Sequence, residues 1–226
     1  MIWMRRMMRT TRLGSAALAG LMAAAVLLAG LATGPAEAAG YKLFGTNELQ
    51  SKKLEKFNKW TEALARYDEE EPNELKVCQP SATEKCHTAR WRIFLKQIAN
   101  RPPMEQMQLV NEYLNKWLYV LDPVNYNKKD YWATPRQFLY RNGDCEDYAF
   151  SKYVSLAHLG FPKDKVRIVV LNDLNLKIPH AVLVVYMDGV GYLLDNQIGQ
   201  VIEANRVTHY KPIFSINEQA WCLHRG

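Results

Sequence analysis

The chain has 226 residues, 48% hydrophobic and 23% charged, with 29 basic and 23 acidic side chains. That is enough apolar material for a folded domain with a core of its own. A formal charge of only +6, with no Lys/Arg cluster interleaved with aromatics, excludes nucleic acid as an expected partner.

Residues 1–38 open with Arg5, Arg6, Arg9 and Arg12, run on as an uncharged Ala- and Leu-rich stretch, and end on Ala36-Glu37-Ala38. The pattern predicts a secretory signal peptide cut after Ala38. An uncleaved membrane anchor is the alternative, because the run is long enough to span. Residues 39–226 then form a single exported domain of 188 residues with 25 basic and 22 acidic groups, a net charge of about +3. Export means oxidising conditions, in which cysteines tend to pair. Cys78 and Cys86 bracket a short polar stretch and are expected to form a local disulfide. A zinc site built on Cys78, Cys86 and His87 lacks a C-x-x-C pair and a second cluster. Cys145 and Cys222 remain, and could bridge each other.

Leu54, Phe57, Trp60 and Leu64 recur at helical spacing, which predicts a helix over 47–67 with Asn47 as its cap, ended by the acidic run before Pro72. Trp91, Phe94, Leu95 and Ile98 predict a second helix over 88–100. After Pro102-Pro103, a third is predicted over 104–121 from Met107, Val110, Leu114, Trp117, Leu118 and Leu121. Residues 123–135 read as a loop leading into a helical turn. Asp144 then opens a helix that ends at Gly160. Beyond it the pattern is β-branched: strands over 166–171, 181–187 and 192–195, then one to three short strands over 201–224. Helices first and an antiparallel sheet after them imply an α+β fold.

Cys145 is the first residue of its predicted helix and is crowded by Asp144, Glu146 and Asp147. A helix N-terminus favours a thiolate, the reactive form of cysteine. The acids oppose it: one carboxylate about 6 Å away, at an effective dielectric near 20, costs the thiolate about 3 kcal/mol, or some two pKa units. A reactive Cys145 therefore needs a positive partner, and preferably a cation on the carboxylates. The plainer alternative is capping, with Asp144 as N-cap and Asp147 completing a box.

A cysteine nucleophile needs a base, and the base needs an orienting group. His180 begins one strand and Asp195 ends the next. If Asp188-Gly189 is a two-residue turn, paired positions sum to 377, and Asp195 lies opposite Val182, two residues from His180. The two are then diagonal neighbours about 7 Å apart at the backbone, within reach of a His–Asp hydrogen bond. His158 lies about 20 Å along the helix from Cys145. His87, His209 and His224 have no acidic partner at useful spacing.

Trp132 to Pro135 (W-x-x-P), Gly143 to Ala149 (G-D-C-E-D-Y-A), Lys152-Tyr153, Pro179 to Leu183 (P-H-A-V-L) and Leu193 to Asn196 (L-L-D-N) together resemble the bacterial transglutaminase-like cysteine proteinases, the LapG-type periplasmic proteases. The match covers most of residues 90–215. It implies a papain/transglutaminase-like core with Cys145 as nucleophile, His180 as base and Asp195 as orienter. It implies calcium, with Asp144 and Glu146 taking part in binding it. Asp147, Asn172, Asp173 and backbone carbonyls are candidates for the remaining ligands. The oxyanion hole would use the Cys145 N–H and a second donor, for which Trp132 is a candidate. By the same resemblance the substrate is a large surface adhesin cut near its N-terminus, which releases biofilm, and the regulator is an inner-membrane cyclic-di-GMP receptor. Two rivals stay open: a transglutaminase-type acyltransferase, and a non-catalytic calcium-responsive module in which Cys145 is structural.

Overall fold

The computed structural model describes residues 42–226 apart from 75, 77, 82 and 83; the predicted leader and its cleavage site lie outside the described residues. Among the described residues, no helix is long and apolar enough to cross a membrane.

The first element corrects the expectation of a helix from Asn47. Asn47–Ser51 is a strand, β1, at the sheet edge. Its backbone pairs with the last strand of the chain, a partner that local periodicity cannot reveal. The helix α1 spans Asn58–Glu74 and continues through the acidic run. Glutamates are good helix formers, and Pro72, which has no N–H to give to the ladder, falls only two residues before the helix ends. Trp60, Ala63, Tyr67 and Glu74 form its buried stripe. Next come α2 (His87–Ile98) and α3 (Pro103–Leu114). The Cys78–Cys86 disulfide is formed just ahead of α2.

The third helix stops seven residues earlier than its apolar spacing predicts. Leu118 N–H donates to Asn142 Oδ1 and Val120 N–H to the Gly143 carbonyl, so residues 118–120 run extended beside the loop that precedes Cys145. Leu118 and Leu121 are exposed there instead of entering the core. Then follow α4 (Asp122–Asn125), α5 (Pro135–Arg141) and α6 (Cys145–His158). Thr134 and Gln137 form a reciprocal capping box on α5.

The strands β2 (Val166–Asp173), β3 (Ile178–Met187), β4 (Val190–Leu194), β5 (Ile202–Glu203), β6 (Tyr210–Ile216) and β7 (Trp221–Arg225) join β1 in one antiparallel sheet. Its order is β1-β7-β6-β2-β3-β4-β5. Strand alternation divides the core. Leu183 and Val185 of β3 join the helices in the larger cluster around Trp60, Trp91 and Phe150. Val182 and Val184 join Leu43, Val169 and Tyr210 in a smaller cluster. Both α6 and the sheet contribute to the larger core, which seats Cys145 against β3.

Candidate active site

The loop ahead of α6 is built around Asp147. Its Oδ1 accepts the Ala133 N–H at 2.6 Å and its Oδ2 the Asp144 N–H at 3.2 Å. Asp144 returns the bond as N-cap, completing the predicted capping box. A Cβ on Gly143 would stand 2.1 Å from Asp147 Oδ2, so only glycine lets the chain pass there. This frame puts Cys145 at the tip of α6, where its thiol donates to Glu146 Oε2 at 3.1 Å. Burial raises the Cys145 pKa well above the ordinary thiol value, and Glu146 and Asp144 raise it further, while the Ala181 N–H on the sulfur pulls it down. In this state the sulfur is a thiol.

On the facing hairpin, Met187 pairs with Val190 and Leu183 with Leu194, the predicted register. Asp188 and Gly189 both have positive φ, as the tight turn requires. His180 and Asp195 meet at the far end of the hairpin, where His180 Nε2–H donates to Asp195 Oδ1 at 2.9 Å. Tyr210 O–H donates to Oδ2 at 2.6 Å and Gln197 N–H to Oδ1 at 2.9 Å. Burial works to raise the Asp195 pKa, but the bonds from His180, Gln197 and Tyr210 outweigh it and hold the carboxylate ionised. With Nε2 engaged, the free ring nitrogen of His180 is Nδ1. Cys145, His180 and Ala181 line one cleft of about 690 Å³, together with Tyr119, Leu121, Trp132, Ile178 and Phe214.

Beside Cys145 lies a second cluster. Ligand oxygens of Asp122, Asp144 and Asp147 lie within 4.8 Å of one another, as do those of Asp122, Asp130 and Glu146. Asp122 Oδ1 and Asp144 Oδ1 are buried without a hydrogen-bond partner. Burial and neighbouring acids push Asp122 up to about 6 and Glu146 up to about 9. Buried Asp122 and Asp144, each with an unpartnered oxygen, beside half-buried Glu146 are the donor set of a hard cation and fit calcium, while Asp130 at the exposed edge of the cluster pairs with Lys59. Both oxygens of Asp147 accept backbone N–H groups, which makes it a cap; Asp122 and Asp144 each keep one unpartnered oxygen, with Glu146 and Asp130 beside them.

A model of the bacterial transglutaminase-like cysteine proteinases matches residues 71–222. The chain belongs to that family. No curated protein matches it. Among solved structures, Legionella pneumophila LapG is 28% identical over 70% of this chain and 87% of its own, with a TM-score of 0.59. The calcium-bound form of that LapG is 28% identical at a TM-score of 0.60, and the EGTA-treated form 27% identical at 0.60. The helices and antiparallel sheet are the transglutaminase-like α+β core, and a LapG-like cysteine protease is the kind of enzyme this family and fold make.

In this proteinase the cleft brings Cys145, His180 and the acids Asp144 and Glu146 together, with Asp195 behind His180. Other expectations do not meet there. Asp173 Oδ1 accepts Asn175 N–H and Leu176 N–H, folding its own turn, and Asn172 pairs within the sheet, so neither joins the acidic cluster. Cys222 lies on β7, where its sulfur accepts from Arg167 Nη1, and both it and Cys145 are free thiols. Sequence reasoning missed Asp122, Asp130, Tyr119 and Tyr210. Burial and the neighbouring Cys145 both raise the pKa of the Tyr119 phenol, which places it beside the sulfur. No spacing rule ties Asp122 to Asp144; the one available signal was an acid closing an apolar run just before Pro123.

Proposed function

We propose that the chain is a calcium-dependent cysteine endopeptidase with Cys145 as nucleophile, His180 as general base and Asp195 as its orienter. The observation that carries this reading is a thiol at a helix tip sharing a cleft with a histidine whose far nitrogen is held by a buried, ionised aspartate. His180 takes the thiol proton on Nδ1 as the sulfur attacks a peptide carbonyl carbon. The Cys145 N–H, at the first turn of α6, is positioned to receive the developing oxyanion. His180 then gives the proton to the leaving amine, and a thioester remains. Water, losing a proton to His180, attacks the thioester; the acid product leaves and the thiol is restored. Asp122, Asp130, Asp144 and Glu146 would hold calcium, whose charge offsets the carboxylates that otherwise keep the thiol protonated.

The resemblance extends the proposal to setting. The enzyme acts in the periplasm after loss of residues 1–38, cuts a large surface adhesin near its N-terminus, and is restrained by an inner-membrane cyclic-di-GMP receptor. The test is incubation of the protein with the adhesin's N-terminal segment, in calcium and in EGTA, with products weighed by mass spectrometry. Two fragments that together gain one water, formed only with calcium, are expected. A crosslinked product that has lost ammonia would establish the acyltransferase instead. No reaction in either condition would leave the calcium-responsive module standing.

A further inference from the structure

One wall of the cleft that holds Cys145 has no role in the proposed reaction. Lys56 to Trp60, the two residues ahead of α1 and its first turn, line it, and Lys129 joins them from the loop between α4 and α5. The first N–H groups of a helix have no intrahelical partner and carry a partial positive charge. Side chains usually answer them, but neither usual answer is present on α1. Phe57 takes the N-cap position, its carbonyl accepting the Thr61 N–H at 3.0 Å, and it has no side-chain oxygen to offer. No acid stands in the first turn. Trp60, only 2% exposed and part of the same wall, holds its indole N–H buried with no acceptor. Buried donors nearly always have partners, so an unpaired one on a cleft wall marks a place for an incoming acceptor.

Charge points the same way. Lys56, Lys59 and Lys129 line the cleft, as do Asp130, Asp144 and Glu146. Lys59 pairs with Asp130, and Asp144 and Glu146 belong to the calcium cluster. Lys56 and Lys129 are left without an ion-pair partner among the described residues. We propose that this wall is a substrate subsite for an acidic side chain close to the scissile bond: Lys56 and Lys129 supply the charge, and the start of α1 with the Trp60 N–H supplies the donors. This rests on the reading of Cys145 as the nucleophile of the same cleft.

The experiment compares the rates at which maleimides with a carboxylate tail, maleimidopropionic and maleimidocaproic acids, label Cys145 with the rates of their uncharged amides. The protein is loaded with calcium, and the label is located by mass spectrometry so that Cys222 is not counted. Any change in the thiol itself cancels in the ratio of acid to amide. For at least one tail length the wild type should favour the acid about fivefold. Lys56→Met/Lys129→Met should bring that ratio near one, and so should about 1 M salt, where the screening length falls to about 3 Å. Lys96→Met/Lys211→Met, which removes the same charge outside the cleft, should leave the ratio high. In a library of random-sequence peptides cut by the calcium-loaded protein, Asp and Glu should be enriched at one position beside the cut, and the Lys56→Met/Lys129→Met variant should lose that enrichment. A wild-type ratio near one for both tails, an equal fall in the two double variants, or cut sites without acidic enrichment overturns the subsite and leaves Cys145 as nucleophile. A Cys145 that none of the four reagents labels removes the nucleophile reading and the subsite with it.

Discussion

Replacing Gly143 by alanine probes the frame that aims Cys145. The new Cβ would stand 2.1 Å from Asp147 Oδ2 and 2.8 Å from Asp147 Cβ, distances that real Cβ atoms do not tolerate. Asp147 is buried and cannot swing aside without releasing the N–H groups of Ala133 and Asp144. Each hydrogen bond to a carboxylate is worth about 1.5–3 kcal/mol, and a buried orphan N–H adds its own penalty. Loss of one bond and strain in the other gives about 3 kcal/mol. For a domain of this size that lowers Tm by about 6–12 °C. The assay is thermal unfolding in calcium for Gly143→Ala, Asp147→Ala and the double variant. Because both substitutions break the same contact, the double variant should be no worse than Asp147→Ala alone. A drop under about 2 °C for Gly143→Ala, or full additivity in the double variant, would refute the reasoning.

Other consequences can be read independently. Asp122→Asn should raise the calcium concentration for half-maximal cleavage at least tenfold, and calcium at a hundredfold over Kd should stabilise the wild type by about 2.7 kcal/mol; identical unfolding curves in calcium and EGTA would contradict the cation site. Tyr210→Phe removes the 2.6 Å bond to Asp195 and should lower kcat about tenfold with little change in KM; unchanged kinetics would show that Tyr210 does not support the aspartate. Lys152 has its pKa depressed from 10.5 to about 7, so between those values the unfolded chain binds more protons and wild-type stability rises with pH, by up to about 1.4 kcal/mol per unit. Lys152→Met should accordingly be more stable than wild type at pH 7, with the gap narrowing toward pH 10; a constant gap would mean that the ammonium is not buried.

The parts legible in the sequence are those set by neighbours along the chain. Asp188-Gly189 dictated a two-residue turn, and that turn alone brings His180 within reach of Asp195. The start of α6 was legible because Asp144 and Asp147 satisfy its free N–H groups locally. What escaped depends on distant partners. Asn47–Ser51 is a strand because β7, at the other end of the chain, pairs with it. The third helix unwinds after Leu114 because Asn142 and Gly143 capture the backbone of residues 118–120. Those same bonds carry Tyr119 to the sulfur and run the chain on into Asp122, so the break in the helix and the missing members of the acidic cluster share one cause. Asp173 misled for the opposite reason: an acid at a strand end reads equally as ligand or turn cap, and its bonds to Asn175 and Leu176 decide for the turn.

The most direct measurement is cleavage of the adhesin segment, with calcium present, by wild type, Cys145→Ala and His180→Ala at equal concentration, each checked for native circular dichroism. The account predicts fragments from the wild type and none above background from either variant. Fragments formed at the wild-type rate by folded Cys145→Ala protein would contradict it.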